Sequence, residues 1–249
     1  MFSNKEVYAL IGSSFLLAFI FGFDDGRESF VFSYWFFNFF LFLVLSLIVL
    51  LLRESVRKWC AQYYDIKTEY GLWKIGRWWF HKDGKIKFKG KLREVPLGAI
   101  LALIITIGTS GKVFFTAIGS TKLFIERAER MGRKHLHIEN WEQAVISLSA
   151  LLVNLALLIL SRLLGEILPF DFSSFIVVNF WIMVFNLVPL PETDGGQIFF
   201  GSPYLYLFSL VFLLLAYFLL SAGIILSLVL SILSGLLAIS IYFIFRERE

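Results

Sequence analysis

Gly195–Phe245 reads GGQIFFGSPYLYLFSLVFLLLAYFLLSAGIILSLVLSILSGLLAISIYFIF, 51 residues without a single Lys, Arg, Asp or Glu. A helix crossing a bilayer needs roughly 20 apolar residues. This run is therefore too long for one crossing and about right for two. Pro203 is a natural opening for the first helix, and Ser221-Ala222-Gly223 is a natural turn between them. Working outward, four more stretches lack charge: Val7–Phe23, Phe30–Leu52, Gln143–Ser161 and Phe172–Pro191. Each is about one helix long, which brings the expected count to six. Of the 249 residues 58% are hydrophobic and 29 are phenylalanine, more apolar surface than one soluble core of this length can hide. The expected fold class is an all-α integral membrane protein with about six transmembrane helices.

Charge gives the expected orientation. Twelve of the 23 Lys and Arg lie between Arg53 and Arg93, and six more between Lys112 and Lys134. The positive-inside rule puts both segments, and with them both termini, on the cytoplasmic side of a cell membrane. The acidic loop Asp24-Asp25-Gly26-Arg27-Glu28 suits the outer face. The first span is preceded only by Lys5-Glu6 and followed by no small-residue cleavage site, so it reads as retained rather than as a signal peptide. Leu97–Thr121 is apolar but broken by Gly108-Thr109-Ser110-Gly111-Lys112. A re-entrant hairpin turning at that break keeps both basic segments inside, whereas a single crossing would invert everything downstream. Between Trp73 and Lys91 the pattern alternates around Asp83-Gly84, which predicts a small interfacial β-hairpin anchored by Trp73, Trp78 and Trp79. Cys60 is the only cysteine, so neither an intramolecular disulfide nor a cysteine-based zinc site is available. No repeat or linker divides the chain, which reads as one membrane domain, 1–249: a first span and outer loop (1–29), a core (30–200) and a C-terminal helical pair (201–249).

The most specific segment is Asn186-Leu187-Val188-Pro189-Leu190-Pro191-Glu192-Thr193-Asp194-Gly195-Gly196-Gln197. Two prolines at alternate positions forbid regular helix and leave carbonyls free, and an aspartate follows at a span boundary. From the residues alone, Asp194 is either functional or simply solvated beyond a helix end. The segment resembles the N-x-x-P-x-P-x-x-D-G motif of the site-2 protease family of intramembrane zinc metalloproteases. In that family the aspartate is the third zinc ligand, and the other two are the histidines of an H-E-x-x-H near the end of an earlier membrane helix. The corresponding place here reads Arg53-Glu54-Ser55-Val56-Arg57, with the glutamate kept and both histidines replaced by arginine. A third landmark, an A-G-P-x-x-N core, is similar to Ser149-Ala150-Leu151-Leu152-Val153-Asn154, in which the asparagine remains while glycine and proline have become Ala150 and Leu151. The resemblance covers about Phe30–Phe200.

The resemblance implies a shared site near the cytoplasmic face. Glu54 is the retained catalytic glutamate and Asp194 the retained ligand position, Arg53 and Arg57 are the lost ligand positions, and Asn154, Asn186, Pro189 and Pro191 line a substrate groove. Arginine has no acceptor and a charge that proteins do not remove, so it cannot ligate zinc. Two guanidinium groups do carry about the charge of the missing dication. They are expected either to clamp Glu54 and Asp194 or to belong to the basic cytoplasmic flank. His81, His135 and His137 offer other metal donors but sit in polar turns. The expected reading is a catalytically inactive relative with no cofactor, binding or regulating a transmembrane protein partner in a lipid environment, with no role for nucleic acid. The alternative is an active intramembrane metalloprotease with zinc in an atypical site. A small channel and a structural subunit of a larger complex remain as further classes.

Overall fold

The computed structural model describes residues 2–24, 31–74, 87–88, 91–92, 94–125 and 137–246. In chain order the elements are α1 (Asn4–Phe21), α2 (Phe32–Tyr63), β1 (Lys67–Leu72), β2 (Lys87–Phe88), β3 (Lys91–Leu92), α3 (Leu97–Gly108), β4 (Gly119–Phe124), α4 (Asn140–Ile167), α5 (Ser173–Leu187), α6 (Asp194–Gly201), α7 (Pro203–Leu219) and α8 (Ile224–Arg246). Among the described residues five helices are long and apolar enough to cross a membrane: Asn4–Phe21, Phe32–Tyr63, Asn140–Ile167, Pro203–Ala222 and Ile224–Ile244. Their outer faces carry large apolar side chains, among them Phe37, Ile225 and Leu237, each more than 60% exposed. Helix faces of that kind belong in lipid, and the protein is membrane-embedded and mostly helical.

The sixth expected span, Phe172–Pro191, departs from a full crossing helix. It forms a 15-residue helix, α5, and then an extended segment, because Pro189 and Pro191 cannot continue a helix. The C-terminal pair forms as expected: Pro203 opens α7, and a 3-10 turn at Leu220–Ala222 leads through Gly223, at φ 129°, into α8. Two strands were not foreseen, β1 and β4, which pair with each other. The turn expected at Asp83-Gly84 lies outside the described residues. The antiparallel pairing that is described, Lys87 with Leu92 and Phe88 with Lys91, closes farther along the chain.

The chain folds as two compact units, 1–47 with 69–122 and 48–68 with 123–249. In the first, α1 starts in a capping box: the Glu6 N–H donates to Ser3 Oγ at 3.3 Å, and the Ser3 N–H donates to Glu6 Oε2 at 2.8 Å. The other Glu6 oxygen accepts from the Tyr70 N–H at 3.1 Å, which ties α1 to β1. The segment 97–121 does reverse direction. Ser110 and Gly111 adopt positive φ at the Thr-Ser-Gly turn, and the returning backbone packs so closely on α3 that a Cβ at Gly98 would lie 2.7 Å from the Ala117 carbonyl oxygen. Its second arm is extended rather than helical and runs into β4, so the expected hairpin is half helix and half strand.

The second unit has an apolar core built from four helices. Ala144, Leu151, Leu155 and Leu158 of α4 pack with Met183 and Leu187 of α5, Ile198 of α6, and Leu213 and Ala216 of α7. Small residues let the helices approach. A Cβ at Gly201 would collide with the Asn140 carbonyl on α4, and one at Gly235 would lie 2.7 Å from the Phe208 ring. α2 ends where Asp65 turns left-handed, at φ 55°, and the Ile66 N–H reaches back to the Ala61 carbonyl at 3.0 Å. Ahead of α5, Asp171 accepts from the Ser173 N–H (2.9 Å) and hydroxyl (2.8 Å), which hold its carboxyl below the usual carboxylate range.

Candidate functional site

Helical geometry places Arg53 and Arg57 one turn apart on one face of α2. Both reach the same carboxylate. Arg53 Nη2 donates to Asp194 Oδ2, and Arg57 Nη2 lies 2.9 Å from Oδ2 and 2.8 Å from Oδ1. Arg57 Nη2 also stands 3.3 Å from Glu54 Oε1, a pair within one turn of the helix. Arg53, Glu54, Arg57 and Asp194 are exposed by 4%, 1%, 2% and 3%, so all four charges are removed from solvent. Two cations face two anions, which leaves the group formally neutral. Charge-assisted pairing of this kind is strong where water is scarce.

Local sequence puts Asp194 in place. After α5 stops, the chain runs extended through Val188 and turns at Glu192, whose φ of 68° is unusual outside glycine. Thr193 then caps α6: its hydroxyl accepts from the Gly196 N–H at 3.2 Å and stands 2.8 Å from both the Val188 and Leu190 carbonyl oxygens. The carbonyls freed by the prolines are thus covered by the next element. The glycine pair is required by close approach, since a Cβ at Gly195 would overlap the Leu187 carbonyl and one at Gly196 the Leu190 carbonyl. Asp194 is the first residue of α6, where the positive end of the helix dipole also favours an anion.

The remaining residues singled out from sequence are placed elsewhere. Asn154 is fully buried between α4 and α5, where the Asn179 side-chain amide donates to its backbone carbonyl at 2.9 Å. Asn186 turns back on its own helix and donates to the Ile182 carbonyl at 2.8 Å. Both asparagines are buried, whereas Pro189 and Pro191 are exposed. His137 is exposed, and His81 and His135 lie outside the described residues. Sequence reasoning missed Asn179 and Thr193. Asn179 could have been suspected as a lone amide in the apolar run Val177-Val178-Asn179-Phe180, and Thr193 as a capping residue ahead of Asp-Gly-Gly.

The donor set around Asp194 does not fit a zinc ion. A protein zinc site needs about three ligand atoms with lone pairs, and here both carboxylate oxygens are engaged by guanidinium N–H groups that have none to give. Among the described residues no group of three or more His, Cys, Asp or Glu converges. Comparison with protein-family models, with curated proteins and with solved structures finds no match to this chain.

Proposed function

We propose that this chain is a membrane-embedded, catalytically silent relative of the site-2 proteases, which engages a membrane-protein partner without cutting it. One observation carries the reading. The Arg-Glu-x-x-Arg helix and the aspartate of the P-x-P-x-x-D-G segment, distant in sequence, meet in a buried cluster in which guanidinium groups stand where a metal would be needed. A glutamate without a metal-bound water beside it has nothing to activate, so Glu54 serves as a counter-ion to Arg57. The exposed elbow Val188–Pro191 is the surface on which a partner helix or strand would be met.

The test is elemental analysis of the full chain, purified in detergent and incubated with zinc, beside the double variant Arg53→His/Arg57→His. The expected result is no stoichiometric zinc in the parent and about one zinc per chain in the double variant, since two imidazoles would complete a three-ligand set with Asp194. Stoichiometric zinc in the parent, or chelator-sensitive proteolysis by it, would overturn the proposal. A photo-crosslinking residue at Val188 that captures no membrane protein in native membranes would remove the partner half of it.

A further inference from the structure

In the first unit a cavity of about 260 Å³ is used by nothing described so far. It opens where α1 begins. Lys5 is the second residue of that helix and Ala9 lines the wall one turn later, while β1, β4 and their flanks supply the rest. Because α1 is long and apolar enough to cross a membrane, its first turn is where it leaves the hydrocarbon, at the level of lipid headgroups. Pockets for drug-sized ligands run to about 300–1,000 Å³, so this one suits a smaller group.

The lining has a specific charge balance. Lys74 and Glu94 pair at the rim at 3.7 Å. Lys5, Lys122 and Glu69 make no ion pair among the described residues. Two ammonium groups and one carboxylate are thus left over, a net single positive charge. That balance matches the one negative charge of a phosphodiester, and not the two of a phosphomonoester or the zero of a zwitterionic headgroup. Ser120 also lines the cavity and offers a hydroxyl that makes no hydrogen bond among the described residues. At Gly71 the wall opens, with no atom within 4 Å of where a Cβ would stand.

We propose that this cavity binds the phosphodiester of an anionic phospholipid headgroup, with Lys5 and Lys122 as counter-ions and the Ser120 hydroxyl donating to a phosphate oxygen. The proposal goes beyond the protease-like reading and does not depend on it. The test uses the full chain in detergent, titrated with dioctanoyl phosphatidylglycerol, dioctanoyl phosphatidylcholine and the deacylated diester glycerophosphoglycerol, and followed by native mass spectrometry. Saturable binding of phosphatidylglycerol is expected, about tenfold tighter than of phosphatidylcholine. Lys5→Gln and Lys122→Gln should each weaken it by about fivefold, the range of a partly exposed ion pair. Gly71→Leu fills open space and should abolish binding with thermal stability unchanged, and Ser120→Ala should weaken binding where Gly71→Leu proves unstable. Equal binding of the two lipids, or full binding by Lys5→Gln/Lys122→Gln, would overturn the site. Equal affinity for the deacylated diester would keep the phosphodiester chemistry and overturn the lipid as its source.

Discussion

At the scale of single residues the fold turns on Asp194. One carboxylate bonds two buried guanidinium groups, and removing it strands Arg53 while Arg57 keeps its pairing with Glu54. Breaking a buried pair from one side typically costs about 3–5 kcal/mol, because the remaining charge has no solvent to return to. Asp194→Asn should therefore lower stability by that order, read as a fall in thermal midpoint of the detergent-purified protein. Arg57→Met should be nearly as damaging, since Glu54 and Asp194 each lose an ion pair with it. An Asp194→Asn protein as heat-stable as the parent would mean that the cluster is not a structural joint. This part of the site was legible only through the resemblance, which pairs the Arg-Glu-x-x-Arg helix with the aspartate of the proline segment; the four-residue spacing adds that both arginines share one face. The role of Asn154 was not legible. Its backbone carbonyl accepts from the Asn179 side-chain amide, a pairing that exists only once α4 and α5 are side by side.

Among the elements, the segment from α5 to α6 departs most from the expected pattern. Fifteen helical residues span about 22 Å, short of a hydrocarbon core of about 30 Å. The chain continues as extended backbone, whose carbonyls need donors wherever they lie away from water. Thr193 supplies one hydroxyl to that need while capping α6. Thr193→Val keeps the shape and removes the hydroxyl. It should cost about 1–2 kcal/mol, and Thr193→Ser should recover most of that in the same thermal measurement. Equal midpoints for the two variants would show that the cap does not hold the elbow. The long helices were readable because charge-free runs of span length admit little else. β1 and β4 were not. Lys67-Thr68-Glu69-Tyr70-Gly71-Leu72 mixes charge and glycine with few strand-formers, and its hydrogen-bonding partner lies some fifty residues away. The half-strand return of the 97–121 hairpin escaped for the same reason, its extended arm being fixed by packing on α3 rather than by its own residues.

For the whole molecule, the positive-inside rule predicts one orientation, with the loops at Asp171 and at Gly223 outside and Lys122 inside. In a Cys60→Ser background, single cysteines at Asp171 and Gly223 should react with a membrane-impermeant maleimide in intact cells, and one at Lys122 only after permeabilisation. Labelling of Lys122 from outside would invert the scheme and with it the reading of 97–121 as a returning hairpin. Orientation also bears on how the chain is built. Arg53 and Asp194 are separated by 141 positions, so the first arginine is made long before its counter-ion exists. At roughly 5–20 residues per second, that interval lasts about 7–28 s. During it the lower end of α2 carries two arginines against one glutamate and cannot settle to its final depth without drawing water or lipid phosphate in with it. The last third of the chain therefore does more than add helices. Its arrival closes an electrostatic debt opened early in synthesis, and a ribosome stalled before residue 194 would leave Arg53 at the end of α2 without its carboxylate.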